Sequence, residues 1–279
     1  MYVAPSGLCV GGDPGCALLA VYTPEEFPIA TGLQAMPFDE SVAIGLANLD
    51  SCVRGQSCTV TEPPPFTATG PQVLTDTSYV VYGYSQSANI AAKEKYDLIA
   101  HPLPGATVGF VVTSNPNRPN GGILERFVGA YLPIFGVTFD GAMTTNSPQP
   151  APPLTTVDVV LQYDPVSDFP TNPLNVLADL NVALGFLYFH PETAYFAATS
   201  VELQGQYQDT TYYLVPAKTL PLLMPLEQIP VIGPPIAATL DPPLRVLVEA
   251  GYDRTINPAN RLRPNISTLP TSSRQRSTS

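Results

Sequence analysis

The residues of this 279-residue chain with the makings of chemistry stand in the order serine, acid, histidine. Ser85 sits at the middle of Gly83-Tyr84-Ser85-Gln86-Ser87, Asp164 and Asp168 follow in one short loop, and His190 comes last. A serine hydroxyl is a weak nucleophile until a base removes its proton, and that base needs a carboxylate to hold its tautomer. Nucleophile, acid and histidine occur in this order in hydrolases whose serine rides a tight strand-to-helix turn. Only two histidines are present, and only His190 lies beyond the acids. We therefore read Ser85 as nucleophile, His190 as base and Asp164 as acid, with Asp168 as the open alternative. Asp164 is preferred because it directly follows an expected strand, whose rigid backbone positions a side chain well. The acid not used caps the next helix or braces the loop. His101, just after the expected elbow helix, reads instead as a helix C-terminal residue favoured by the macrodipole. The Gln86 backbone N–H, at the start of that helix, supplies one oxyanion donor, and its side chain is not required for this. The second donor has no assigned residue.

The elements that must hold these groups follow from pattern. Residues 79–82 (Tyr-Val-Val-Tyr) read as a strand buried on both faces. The turn follows at Ser85, then a helix through Ala91 and Ala92. The strained turn demands small residues two positions to either side of the serine; Gly83 meets this fully and Ser87 approximately. Gly-x-Ser-x-Ser also occurs in ordinary strand-to-helix turns, so the downstream acid and histidine carry the argument. Residues 17–22 suit a short strand, and Asp39 or Ser41 is expected to cap a helix that turns Val42, Ile44, Leu46 and Leu49 inward. Residues 63–65, three prolines, mark a rigid loop. Residues 107–113 and 157–163 read as further buried strands, and residues 174–185 as a helix with Leu177, Leu180 and Leu184 on one face. Between them, residues 114–122 (Ser-Asn-Pro-Asn-Arg-Pro-Asn-Gly-Gly) form a polar loop whose Asn, Gly and Pro content specifies one shape. Apolar strands alternating with helices indicate an α/β fold with a mainly parallel, doubly wound sheet. From Tyr212 the chain is strongly apolar and proline-rich, either as packing or as a lid and acyl-chain wall. Gly233 and the prolines of residues 229–236 argue against a long regular helix there, and residues 244–249 suit a final short helix.

Bulk composition sets the outer limits. One large domain over residues 1–265 and a polar, disordered tail over residues 266–279 account for the length. Only 13% of residues are charged and the net charge is −11, which argues against nucleic acid and anionic lipid as partners. No stretch of about 18 apolar residues suggests a membrane span, and no charged-then-apolar leader stands at Met1. The 33 prolines are spread among apolar runs and read as rigid loops. Four cysteines fall in the first quarter of the chain, and the pairs Cys9–Cys16 and Cys52–Cys58 would each close a turn-rich loop. Neither pair has metal-site spacing or a nearby histidine, so disulfides and an oxidising compartment are expected, with no metal. Serine-based acyl transfer needs no cofactor, and none is expected.

The chain also resembles the PE-PPE domain family of mycobacterial serine hydrolases, related to cutinases and other α/β-hydrolases. Stretches that carry the likeness are Thr23-Pro24-Glu25, Phe38-Asp39-Glu40-Ser41-Val42, Gly83-Tyr84-Ser85-Gln86-Ser87, the segment 115–122, the segment from Tyr163-Asp164 to Asp168-Phe169-Pro170, and residues 225–235. The order is kept over roughly residues 20–255. This resemblance implies an α/β-hydrolase fold, serine esterase activity on acyl esters or acyl transfer between glycolipids of the cell envelope, and Ser85, His190 and Asp164 or Asp168 as the triad. It also implies an extracytoplasmic, secreted or envelope-associated setting. Family members usually open with an apolar strand ending in a glycine-rich turn. Here Gly11-Gly12 has no such strand before it, so a non-catalytic envelope protein on a hydrolase scaffold is the alternative outside enzymology.

Overall fold

The computed structural model describes residues 3, 6–9, 16–28, 31–61, 68–145, 153–193 and 201–261. Chain order runs β1 (Ala20–Val21), α1 (Phe38–Val53), β2 (Ser57–Thr61), β3 (Ala68–Val73), β4 (Ser78–Tyr84), α2 (Gln86–Ala100) and β5 (Thr107–Thr113). It continues through β6 (Tyr131–Leu132), β7 (Val137–Thr138), β8 (Thr156–Leu161), α3 (Val176–Tyr188), β9 (Glu202–Tyr207) and β10 (Thr210–Val215). The short α4 (Met224–Glu227), the long α5 (Gly233–Glu249) and α6 (Pro258–Arg261) complete it. The central sheet has the order β4-β5-β8-β10-β9, parallel except for β9, which forms an antiparallel edge with β10. The fold is therefore mixed α/β around a mostly parallel sheet.

Two apolar layers cover the two faces, as the alternation of strand side chains requires. On one, Val108, Phe110 and Val112 of β5 meet Val42 and Leu49 of α1 and Ala88, Ile90 and Ala91 of α2. On the other, Val111 joins Val159 and Leu161 of β8, Ala178 of α3, and Ala237 and Val248 of α5. One buried charge is fully matched. The Lys95 ammonium, fully buried, donates to Asp209 and Thr156 at 2.8 Å each and to Thr210 at 3.2 Å. Both expected disulfides are formed, and Cys52–Cys58 staples the end of α1 to β2.

Several expectations are corrected. Strand β4 is not buried on both faces: it lies at the end of the sheet order, and Tyr82 is 39% exposed. Only Ala20–Val21 of the first apolar run is a strand, and it joins the separate antiparallel sheet β1-β2-β3. Neither Asp39 nor Ser41 caps α1; the Asp39 carboxylate accepts from the Thr138 backbone N–H and hydroxyl, tying the helix to β7. Ile44 of that helix faces solvent while Val42 and Leu49 are buried. Helix α3 starts two residues later, capped by Asn175, which accepts from Ala178 N at 3.1 Å. Its buried positions are Ala178, Asn181, Val182 and Gly185, and Leu180 is half exposed. The apolar run from Tyr212 begins as sheet, because β10 pairs with β8 from Thr210 to Val215. Helix α5 is long despite its prolines: Pro234 and Pro235 occupy the first turn, where no intrahelical N–H is required. Pro242 and Pro243 lie within it. The triple proline, the Gly11-Gly12 turn and the expected tail 266–279 lie outside the described residues.

One buried group makes stability depend on pH. The Glu94 carboxyl on α2 is fully buried and has no hydrogen-bond partner. Burial pushes it up to about 8, Asp50 adding to the effect and Arg54 offsetting part of it. Its folded-state value exceeds the ordinary 4.5, so its contribution is intact below that pH and is lost as the pH climbs toward 8. Glu94→Gln, which cannot ionise, is expected to raise the Tm at pH 8 by roughly 5 °C while changing it little at pH 4. Calorimetry across that range checks this.

Candidate active site

The site is assembled at the carboxyl ends of the parallel strands. Strand β4 runs into Ser85, which adopts φ 56° and ψ −116°, a conformation an L-residue holds only when its surroundings enforce it. Three contacts do so. A side chain at Gly83 would put its Cβ 2.5 Å from the Ser87 carbonyl, so only glycine fits there. The Ser87 hydroxyl accepts from Tyr84 N at 3.0 Å and donates to Tyr84 O at 2.8 Å, so serine in this place knits the turn together. Ser85 N donates to Thr113 O at 3.2 Å, anchoring the turn to the end of β5.

The expected groups converge unequally. Ser85 Oγ lies 2.9 Å from His190 Nε2, and His190 Nδ1 lies 2.9 Å from Asp164 Oδ1. Asp164 is completely buried, its other oxygen accepting from Ser167 Oγ at 2.7 Å and Oδ1 also from Val166 N at 3.2 Å. Burial pushes its carboxyl up, but the hydrogen bond and charge of His190, with the Ser167 hydroxyl, outweigh that and hold it below the ordinary carboxylate range. A carboxylate kept ionised in this way fixes the His190 tautomer with Nδ1–H toward it, leaving Nε2 to accept from Ser85. Asp168 is turned away from His190. It forms a fork with Arg254 at 2.6 and 3.1 Å and accepts from Tyr163 N at 2.8 Å, bracing the loop that carries Asp164. Arg254 also stacks over Tyr252, 4.1 Å from its ring centre. His101 hydrogen-bonds Asp97 at 2.9 Å on the exposed end of α2, away from Ser85.

The surroundings contribute residues that sequence patterns do not single out. Tyr84 and Phe186 both stack on the imidazole of His190, with ring centres 5.2 and 5.5 Å away, and the Tyr84 hydroxyl donates to His190 O. Phe186 lies in the last turn of α3, and His190 follows just past the helix end. The side chain of Gln86, buried at the head of α2, is a strap. Its Nε2 donates to Glu26 O at 2.8 Å and its Oε1 accepts from Ser41 Oγ at 2.8 Å, while Ser41 Oγ accepts from Glu26 N at 3.1 Å. The segment around Glu26 is thereby held beside the serine turn. The Gln86 N–H opens α2 and belongs to the first turn, whose N–H groups have no intrahelical acceptor. Nothing in the sequence pairs positions 26, 41 and 86.

A family model described as the PE-PPE domain matches residues 14–253. A Mycobacterium tuberculosis protein (strain ATCC 25618 / H37Rv) named Esterase PE16 is 36% identical over 266 residues, 91% of this chain and 44% of its own length. From strain CDC 1551 / Oshkosh, a protein named Uncharacterized PPE family protein PPE42 is 42% identical over 253 residues, 87% of this chain and 39% of the relative. A third, named SL1278 acyltransferase Chp1 (strain ATCC 25618 / H37Rv), is 29% identical over 261 residues, 88% of this chain and 57% of the relative. The chain thus spans less than half the length of the first two. No solved structure matches.

The Arg254 fork ties Asp168 to a segment far along the chain. Asp168→Asn weakens charge-assisted hydrogen bonds from the part-exposed Arg254 to a buried carboxylate and is expected to cost about 1.5–3 kcal/mol of stability, read as a lower urea midpoint.

Proposed function

Since the chain belongs to the PE-PPE domain family, we propose that it is a serine hydrolase of acyl esters on an α/β-hydrolase fold, working through Ser85, His190 and Asp164. The observation that carries this reading is the unbroken relay, 2.9 Å from Ser85 Oγ to His190 Nε2 and 2.9 Å from His190 Nδ1 to Asp164, with Asp168 bound elsewhere. The relative named as an esterase supports the reaction class.

The steps follow from the geometry. His190 Nε2 takes the Ser85 proton as Oγ attacks the ester carbonyl carbon. The carbonyl π pair becomes the oxyanion, which accepts from the Gln86 N–H, and the strap through Glu26 and Ser41 keeps that end of α2 in place. Collapse of the intermediate breaks the C–O bond to the alcohol, which leaves with the proton from His190. Water, deprotonated by His190, then attacks the acyl carbon, and collapse breaks its bond to Ser85 Oγ, which takes the proton back from His190 as the acid is released. The imidazolium formed in each half is stabilised by the ionised Asp164. The stacked rings of Tyr84 and Phe186 hold the imidazole plane throughout. We place this chemistry within one catalytic unit over residues 1–265 and in an oxidising, extracytoplasmic setting, which the two disulfides support.

A second reading, transfer of the acyl group to a sugar hydroxyl in place of water, is favoured by relatives named SL1278 acyltransferase Chp1 and Diacyltrehalose acyltransferase Chp2. Both readings share the acyl-serine and part only at the acceptor. Product analysis with trehalose present separates them, because hydrolysis yields free acid alone.

Ser85→Ala is expected to abolish p-nitrophenyl butyrate hydrolysis and fluorophosphonate labelling without unfolding the protein. Asp164→Asn should lower kcat by roughly 10³–10⁴-fold, whereas the folded fraction of Asp168→Asn should keep kcat within about threefold, well under 1 kcal/mol. Equal losses from the two acids, or full activity in Ser85→Ala, would overturn the assignment.

A further inference from the structure

No charged residue of helices α3 and α5 is exposed on their outer faces. On α3, the exposed residues are Val176, Leu180, Ala183 and Leu187, spaced four, three and four apart on one face. Between residues 225 and 250 no exposed residue is charged, and Gln228 and Thr239 are the only exposed polar side chains. The charged residues in these stretches are half-buried: Asp179 lies in the first turn of α3, Glu227 accepts from Thr219 Oγ1 at 2.9 Å, Asp241 pairs with Arg245 at 2.7 Å, and Glu249 pairs with Arg254 at 2.8 Å. The helices pack side by side, with Asn175 Nδ2 donating to Leu247 O at 2.8 Å and Gly251 against Ala178, so the two faces adjoin. At one margin the chain holds Val231, 88% exposed, at φ 70°, a strained conformation for a β-branched residue that points it outward.

We propose that this joint face of α3 and α5 docks on a neutral lipid surface and brings the site to its acyl esters. Three observations choose that occupant. A second copy of a chain with net charge −11 is repelled, and so is an anionic bilayer. A neutral lipid surface offers no such repulsion. A protein partner needs about one hydrogen bond per 100–200 Å² of interface, and this face offers almost no side-chain donors or acceptors. The position is also apt: α3 runs directly into His190, and its Gly185 packs against the Tyr163 carbonyl at the carboxyl end of β8, on the side of the sheet where Ser85 lies. The proposal rests on the acyl-ester reading of that site.

Flotation of the Ser85→Ala protein with a trioleoylglycerol emulsion measures docking without turnover. We expect binding that survives 0.5 M NaCl, no binding to phosphatidylglycerol vesicles, and at least a tenfold smaller bound fraction for Leu180→Glu/Leu187→Glu/Val231→Glu. The same positions changed to Gln guard against a charge-induced folding defect and should lose most binding as well. In the Ser85 protein both triple variants should hydrolyse soluble p-nitrophenyl butyrate at the unchanged rate and lose activity on the emulsion. Undiminished flotation of the folded variants overturns the proposal, as does a wild-type dimer in sedimentation that these substitutions make monomeric. Normal flotation by a protein inert toward soluble esters would instead sustain the docking surface and count against the catalytic reading.

Discussion

The buried pair of Arg118 with Asp158 is the interaction on which the carboxyl edge of the sheet depends. Both side chains are almost wholly shielded from water. The guanidinium also donates to Asp158 O at 3.1 Å on β8, to Gln204 Oε1 at 2.7 Å on β9 and to Tyr213 O at 3.1 Å on β10, and it stacks over Tyr212. The remaining Asp158 oxygen accepts from Asn115 Nδ2 at 2.8 Å. An ion pair this deep offsets its desolvation only when every donor and acceptor is satisfied, and removing one partner would leave a buried charge, at a cost of about 3–5 kcal/mol. The loop 114–122 is thereby nailed to three strands at once.

That loop in turn shapes the one carrying Asp164. Phe169 N donates to Gly121 O at 2.8 Å and Ile123 N to Val166 O at 3.0 Å. Gly121 approaches so closely that a Cβ there would lie 2.3 Å from Ser167 O. Ser167 then holds Asp164, and Asp164 orients His190. The line from Arg118 to the imidazole thus consists of contacts that each have a single good geometry. Strain gathers at the same edge. Ser85, Ser114 and Tyr163, just beyond the ends of β4, β5 and β8, all have positive φ. The parallel strands stop together, and each chain segment must turn sharply to leave functional groups at the rim instead of passing over it.

The outer faces of α3 and α5 obey a different logic. Their inner faces are ordinary core, with Ala178, Ala237 and Val248 buried against β5 and β8. A helix apolar all round belongs where both sides meet apolar matter. In a chain with only 13% charged residues, an uncharged exterior over two adjoining helices is a concentrated version of a general property. Hydrophobic patterning misplaced one residue of α3: Leu177 packs partly buried against the core as the stripe implies, but Leu180 faces outward, and small residues make the closest approach, with Gly185 against the Tyr163 carbonyl.

Local chemistry decided much by itself. The elbow is written in Gly83, because the turn that carries Ser85 at its apex tolerates no Cβ there. Strands β5 and β8 follow from their apolar runs, the disulfides from short turn-rich spacings, and the order serine, acid, histidine from the chain itself. Other features became visible only in three dimensions, because they are contacts between residues far apart in sequence. Asp164 and Asp168 are four residues apart with identical carboxylates, and what separates them is Arg254, 86 positions beyond Asp168. The strap of Gln86 through Ser41 to Glu26 spans up to 60 positions. The place of β4 at the end of the sheet, and the turning of the apolar faces of α3 and α5 toward solvent, depend on which surfaces meet. Sequence periodicity states that a face is apolar, and only packing states what lies against it.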